Sequence, residues 1–162
     1  MELKQIKEGL YSLNGNPLLN DNLVIAMHPY FLEYNNYKGL GKEEEMKKKK
    51  DKISKFLIRY SGPKIILEEE YNFTKTLKRY EKEPNLSNLF LIKTGDGSHT
   101  PFEISYDKML DHFQEMSGNK KIFLIGGYYW KMWWNKGCLG SLRIKMKERG
   151  LQSKVIPDLT FS

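Results

Sequence analysis

Five short apolar runs are spaced along the chain, and each is bounded by polar or turn-forming residues. They are continuous in Leu, Ile and Val instead of alternating with polar residues, which is typical of parallel strands buried on both faces. The runs cover residues 23–27, 64–67, 89–92, 122–125 and 154–156. The segments between them have helical character, and a repeated strand–helix–strand order produces right-handed crossovers. We therefore expect one α/β domain over residues 1–162, with a three-layer α/β/α architecture around a mainly parallel, Rossmann-like sheet of five or six strands.

Helical periodicity marks four segments between these runs. Residues 42–60 place Glu ahead of Lys at i,i+4 spacing and then carry one apolar stripe. We expect this helix to expose its charge run to solvent, in preference to forming a nucleic-acid patch. Ser105 is expected to cap a helix that ends at Gly118. A weaker helix is expected over residues 71–83, and a final helix over residues 138–149.

The single cysteine and the lack of long apolar stretches indicate where in the cell the protein is located. The chain contains one cysteine, Cys138, and no apolar stretch approaches the roughly 18 residues of a membrane span. A single cysteine cannot form an internal disulfide, which fits a reducing compartment. The opening segment MELKQIKEGLYSL alternates charged and apolar side chains, so no secretory signal is expected. These features predict a soluble cytoplasmic protein with no membrane partner.

The net charge bears on the class of partner. The chain carries a formal charge of +7 from 27 basic and 20 acidic residues. Such a balance attracts polyanions, but it also occurs in proteins that lysine keeps soluble. Lysine dominates the basic set, and arginine, the usual bidentate reader of bases and phosphates, is scarce. Sequence-specific nucleic-acid recognition is therefore less favoured than diffuse attraction, and nucleic acid is the less favoured partner.

Two reactive side chains follow predicted strands. Loops after the carboxyl ends of parallel strands build the binding site of an open sheet. Lys93 leaves an apolar run into a glycine-bearing loop, which suits anion binding or pairing with a thiolate, although lysine also simply marks strand ends. Cys138 opens the last predicted helix, whose dipole favours a thiolate nucleophile. The alternative for Cys138 is a buried cysteine that only fills space.

Motifs from residue 23 onward are similar to those of one known family. Residues 23–31, LVIAMHPYF, resemble its opening strand, and residues 122–127, IFLIGG, resemble the strand before its nucleophile. Lys93 falls where the family has a catalytic lysine, and the interval from Cys138 through a closing glycine to Asp158 is the family's usual one. The family is the isochorismatase-like cysteine hydrolases, the superfamily that includes nicotinamidases. The resemblance implies hydrolysis of a C–N or related acyl bond, with Cys138 as nucleophile and Lys93 as charge stabiliser.

Two features depart from the pattern of that family. The family has an aspartate on its first strand that acts as base toward the cysteine, and the matching position here is Ala26. The segment between the run at residues 122–125 and Cys138 is also longer than the family's loop, on which an oxyanion hole depends. His28 and His99 are candidate substitute bases, since a neutral imidazole can accept a thiol proton. The alternative is that each is an ordinary polar group of a loop.

The three histidines do not show a metal-binding pattern. His28, His99 and His112 lack the close spacing of metal ligands. His112 lies within the amphipathic helix that follows Ser105, and a structural role is expected for it. We therefore predict no metal site and no cofactor.

Aromatic residues are concentrated directly before Cys138, in the segment YYWKMWWNKG. Its first three residues, Tyr128, Tyr129 and Trp130, are candidate ligand-binding residues. Such a segment lines a pocket, buries a subunit interface, stacks on bases, or packs in the core. Because Trp and Tyr are typical anchors of interfaces, and relatives of this fold commonly self-associate, a pocket together with a homo-oligomer interface is favoured over nucleic acid.

These observations define three functional hypotheses. The favoured one is an isochorismatase-like domain with an incomplete Asp/Lys/Cys triad, which binds a small molecule or a protein partner in a pocket bordered by Ala26, Lys93 and Cys138. The second is an active thiol hydrolase that uses His28 or His99 as a substitute base. The third is a basic, aromatic-rich module that binds nucleic acid. The first two require the thiol, the lysine and Ala26 to share one cavity.

Overall fold

The computed structural model describes residues 3–14, 21–34, 43–127 and 137–161. Its strands are β1 (Lys4–Lys7), β2 (Leu10–Asn14), β3 (Leu23–Met27), β4 (Lys64–Glu69), β5 (Leu89–Thr94), β6 (Ile122–Gly126) and β7 (Ser153–Val155). Its α-helices are α1 (Phe31–Tyr34), α2 (Glu43–Arg59), α3 (Phe73–Tyr80), α4 (Tyr106–Ser117) and α5 (Cys138–Glu148). Single 3₁₀ turns cover Glu70–Asn72 and Pro157–Leu159. No helix within these ranges is long and apolar enough to cross a membrane.

The strands of the described ranges form one sheet of seven, in the order β1-β2-β5-β4-β3-β6-β7. Five of them, β5, β4, β3, β6 and β7, pair in parallel, and β1 and β2 add an antiparallel edge beside β5. The five apolar runs are strands β3 to β7, so the prediction of an α/β fold with a mainly parallel sheet is confirmed. The predicted number of strands was too low. Strands β1 and β2 are short and mix polar with apolar residues, so they lack the continuous apolar pattern of buried parallel strands.

Side-chain alternation gives the sheet two apolar faces. In β3, Leu23, Ile25 and Met27 belong to a buried cluster that includes residues of α4 and α5; we call this side the α4/α5 face. Val24 and Ala26 belong to a second buried cluster with residues of α2 and α3, on the α2/α3 face. Burying one large aliphatic side chain contributes about 1.5–3 kcal/mol. Since every side chain of β3 is buried, this central strand is held from both sides.

The helices largely follow the predicted segments. Helices α2 and α5 occupy two of them, with residue 42 lying outside the described ranges. Helix α4 begins after Ser105, whose Oγ accepts a hydrogen bond from the Lys108 N–H at 3.1 Å, and this confirms the predicted cap. Helix α3 is shorter than predicted. It begins at Phe73 because Glu70–Asn72 forms a 3₁₀ turn.

Candidate functional site

The carboxyl ends of β3, β4, β5 and β6 meet at one edge of the sheet. Five titratable side chains come together near this edge, and we call them the edge cluster: His28, Glu69, His99, Tyr106 and Cys138. His28 follows β3, Glu69 ends β4 and His99 lies after β5. Tyr106 begins α4, and Cys138 begins α5. Since ligands of open parallel sheets bind at the carboxyl edge, the fold brings these groups to the position where a site is expected.

His28 is the buried base of the edge cluster. It follows β3 with a left-handed backbone, φ 40°, and its N–H donates to the Leu67 carbonyl on β4 at 2.9 Å. Its Nε2 lies 2.8 Å from the Thr94 hydroxyl at the end of β5. Burial, and secondarily the charge of nearby His99, lowers the pKa of His28 to about 4. His28 is therefore a neutral imidazole at neutral pH.

His99 is held by Tyr106. Its Nδ1 lies 2.7 Å from the Tyr106 hydroxyl, and the two rings meet edge to face with centroids 5.5 Å apart. Burial, followed by the charge of Lys145, lowers the pKa of His99. Burial also raises the pKa of Tyr106, and the thiol of Cys138 adds to that rise. This pair therefore connects the loop after β5 to the start of α5.

Cys138 is half-buried at the first position of α5. Burial raises the pKa of its thiol, and the carboxylate of Glu69 raises it further. The backbone at the helix start lowers the thiol pKa, as the helix dipole predicts, but this effect is the smallest of the three. The expectation that the position of Cys138 favours a thiolate was therefore wrong, because burial and a neighbouring carboxylate outweigh the helix start.

Glu69 is a site residue that sequence reasoning did not single out. It is buried at the end of β4, and its Oε2 accepts a hydrogen bond from the Gly97 N–H at 2.8 Å. Leu67, two residues earlier, belongs to the α4/α5 face, so alternation directs Glu69 to the face of Cys138. The signal in the sequence was Glu68-Glu69-Glu70 directly after an apolar run. Acidic residues that end a strand of a parallel sheet are candidate site residues for the same reason as Lys93, because they lie at the carboxyl edge.

Lys93 does not join the edge cluster. Its Nζ pairs with Glu103 at 3.0 Å and lies 4.9 Å from the Phe73 ring and 5.5 Å from the Tyr11 ring. Phe73 belongs to the α2/α3 face, whereas Cys138 packs against the α4/α5 cluster. The structure therefore does not bring Lys93 to Cys138. Side chains alternate along β5, and Ile92, not Lys93, lies on the α4/α5 face with the thiol.

Ala26 is also separated from Cys138. Its side chain is fully buried on the α2/α3 face, beside Ile66 and Ile125 in the neighbouring strands. A fully buried methyl group in this cluster does not border a ligand pocket. The expectation that Ala26, Lys93 and Cys138 line one cavity was therefore wrong, since strand alternation divides them between the two faces.

A second polar group lies across the sheet from the edge cluster. Glu68 is buried at the end of β4, and burial raises its pKa to about 7. Its carboxyl group accepts hydrogen bonds from the Thr76 hydroxyl at 2.6 Å and from the Glu69 N–H at 2.9 Å. Thr76 lies 2.8 Å from the Tyr34 hydroxyl. Asn72 follows Glu68 by four residues and is fully buried. Its side-chain amide has no hydrogen-bond partner among the described residues.

Three predicted ligand-binding residues belong to the aromatic segment before Cys138. Tyr128, Tyr129 and Trp130 lie outside the described residues. His112 is buried in α4 and its Nε2 lies 2.8 Å from the Glu8 carbonyl, so it has the structural role expected for it. Within the described ranges, no group of three or more His, Cys, Asp or Glu side chains is placed to hold a metal ion.

The chain was also compared with known proteins. No protein-family model, curated protein or solved structure matches it significantly.

Proposed function

We propose that the edge cluster is a small-molecule site, in a divergent relative of the isochorismatase-like hydrolases that lacks the Asp/Lys/Cys triad. One observation carries this proposal: Cys138 packs on the face of the sheet to which alternation directs Glu69, and after burial the charge of Glu69 raises the pKa of the thiol, while Lys93 pairs with Glu103 on the other face of the sheet. A raised thiol pKa keeps the sulfur protonated at neutral pH. The cluster is therefore better suited to binding than to attack by a preformed thiolate.

The groups of the cluster define the chemistry of the ligand. Neutral His28 and His99 each keep one ring nitrogen beyond the one that contacts Thr94 or Tyr106, and Glu69 keeps an acceptor oxygen beyond the one that accepts from Gly97. A buried carboxylate disfavours an anionic ligand. We therefore propose a neutral polar or cationic molecule with an amide-like group, which donates to Glu69 and accepts from an imidazole or a hydroxyl.

Ligand-dependent melting tests this proposal, because a molecule that binds only the folded state raises the melting temperature. Nicotinamide and benzamide are suitable amide probes, with benzoate as the matched anion. We expect the amides, but not benzoate, to raise the melting temperature of the wild type. Glu69→Gln should remove most of the shift, and Glu70→Gln, which changes the exposed neighbour, should retain it. Equal shifts in the wild type and Glu69→Gln would contradict a site at Glu69.

A second candidate function is hydrolysis that depends on Cys138, and the proximity of Glu69 favours it. The Glu69 carboxylate accepts the thiol proton while the sulfur forms a bond to the acyl carbon of an amide. The C–N bond then breaks and the amine leaves with that proton. Water cleaves the thioester, which releases the acid and restores the thiol. In this candidate, Glu69 replaces the aspartate that the resemblance expects at Ala26.

Release of ammonia from nicotinamide separates the two candidates. A site that only binds produces none above the level of Cys138→Ser. A hydrolase produces ammonia in the wild type, loses it in both Cys138→Ser and Glu69→Gln, and retains it in Lys93→Met. Loss of turnover in Lys93→Met would instead support the triad that the resemblance implies.

The finer features of the fold also belong to this proposal. We take the sheet as the middle layer of a three-layer, Rossmann-like fold, supported by the packing of α2 and α3 on one face and of α4 and α5 on the other. The cytoplasmic location and the homo-oligomer stay predictions.

A further inference from the structure

A groove lies on the outer side of α2, where its second half meets the 3₁₀ turn Pro157–Leu159. Its volume is about 440 Å³, which is within the usual range of small-ligand pockets. We call it the α2 groove, and its lining residues are Lys52, Lys55, Phe56, Arg59, Tyr60 and Leu159. It shares no residue with the edge cluster, so it needs a separate explanation.

The charged residues of the α2 groove are all cationic. Lys52, Lys55 and Arg59 are exposed and lie on one stripe of α2, because their spacing is i, i+3 and i+7. In the described part of the chain, none of the three forms an ion pair. Asp51, the acid within the same stretch of helix, pairs instead with Lys50 at 2.8 Å. The Asp51 carboxylate also interacts with Lys55 beyond ion-pair distance, so the groove presents three exposed positive charges, of which Lys55 is partly balanced.

The wall between these cations is aromatic. Phe56 and Tyr60 are stacked, with ring centroids 5.7 Å apart and planes inclined by 9°. The Tyr60 hydroxyl donates to the Asn22 carbonyl, which fixes its ring. The Lys64 ammonium lies 5.8 Å from the centroid of the same ring and donates to the Tyr60 carbonyl. The Tyr60 ring is thus held in place by contacts with Asn22 and with Lys64, which is fully buried and outside the groove lining.

We propose that the α2 groove binds single-stranded nucleic acid. Proteins of this kind combine cations that follow the phosphate backbone with aromatic rings on which bases stack. Here Lys52, Lys55 and Arg59 contact phosphates, and a base packs against the Phe56 and Tyr60 wall. The acidic side chains of a protein segment have the complementary charge but no flat ring, whereas every nucleotide carries both, so the aromatic pair favours nucleic acid.

Fluorescence anisotropy with a labelled oligodeoxythymidine of about 12 nucleotides tests the proposal. Binding to the wild type should weaken as salt rises from about 50 to 200 mM, with a log–log slope of about −0.7 for each phosphate contact. The double variant Lys52→Glu/Arg59→Glu should bind at least about 10-fold more weakly and with a shallower slope. The matched double variant Lys4→Glu/Lys120→Glu changes the net charge equally at exposed positions outside the groove and should stay within about 3-fold of the wild type.

A third variant isolates the aromatic wall. Phe56→Leu keeps an apolar side chain but removes the ring, so it should weaken binding about 5-fold or more while leaving the salt slope unchanged. Equal weakening by the two double variants would overturn the proposal, because binding would then follow net charge alone. So would unchanged affinity in Phe56→Leu together with equal competition by polyglutamate of matched charge, which would assign the groove to an acidic protein segment. Circular dichroism melts of each variant establish that it is folded.

Discussion

The Nε2 atom of His28 lies 2.8 Å from the Thr94 hydroxyl, which joins the end of β3 to the end of β5 across the intervening strand β4. The His28 N–H donates to the Leu67 carbonyl on that strand. The backbone of His28 is left-handed, with φ 40°, so its side chain leaves the direction that alternation along β3 predicts. The result is a buried imidazole that is neutral at neutral pH and lies close enough to His99 to feel its charge.

The buried imidazole of His28 makes the free energy of unfolding depend on pH below about pH 6.5. The pKa of His28 is lowered from 6.5 to about 4, so between these values the unfolded chain binds a proton that the folded chain does not. The contribution of neutral His28 to stability is fully present above pH 6.5 and is lost as the pH drops toward 4. Relative to His28→Asn, which tolerates the left-handed backbone, the wild type should lose about 1.4 kcal/mol per pH unit in that window. Urea unfolding at several pH values measures this difference, and a difference that does not change with pH would contradict it.

Glu68 should have the opposite effect. Its pKa is raised from 4.5 to about 7, so between these values the folded chain holds a proton that the unfolded chain has released. This contribution to stability is present at pH 4.5 and is lost as the pH rises to 7. Relative to Glu68→Gln, the wild type should therefore lose about 1.4 kcal/mol per pH unit as the pH increases. The same urea titrations test it, and the two effects should largely cancel in the wild type between about pH 4.5 and 6.5.

Alkylation of Cys138 tests its environment, and the reaction has one possible site because the chain has one cysteine. Burial and the Glu69 carboxylate raise the pKa of the thiol, so iodoacetamide should react slowly at neutral pH and faster as the pH rises. Glu69→Gln should shift the rate profile to lower pH. Glu70→Gln, at an exposed position, should not shift it. A profile that is identical in the wild type and Glu69→Gln would show that the carboxylate does not act on the thiol.

Lys93→Met tests the separation of the lysine from the thiol. Lys93 pairs with Glu103 on the face of the sheet opposite to Cys138, so the variant should leave the alkylation profile of Cys138 unchanged. Its unfolding free energy should fall by only about 0–1 kcal/mol, because the ion pair is partly exposed. A profile displaced toward higher pH would mean that the ammonium stabilises the thiolate.

Gly126 marks a close approach between β6 and β3. A Cβ at this position would lie 2.6 Å from the Met27 carbonyl oxygen, and φ is +70°. Gly150 has a similar φ of +82° with nothing within 4 Å of its Cβ position, so Gly150→Ala isolates the backbone strain of about 1–2 kcal/mol. Gly126→Ala should destabilise the fold by clearly more than Gly150→Ala in thermal or urea unfolding. Equal losses would show that the strands separate at little cost.

The sequence predicted the parallel strands well but predicted the site only in part. Continuous apolar runs such as residues 23–27 must be buried on both faces in any arrangement, so their pattern alone identifies them. Cys138 was also predicted to follow a strand at the carboxyl edge, and it lies there together with the two candidate bases His28 and His99. Lys93 was misplaced, because a shift of one residue at a strand end moves a side chain to the other face. Glu69 was missed, because its role arises from a neighbour far along the chain.

The sequence by itself determined the five parallel strands, the four longer helices and which ends of those strands carry polar groups, since these follow from local patterns of burial and spacing. Only the tertiary structure decided which of those polar groups meet. Thr94 and Lys93 are adjacent in the chain, yet one contacts His28 and the other pairs with Glu103. The direction of each side chain depends on its phase in the pleat and on the backbone angle where the strand ends, and both are set by packing against neighbouring strands and helices.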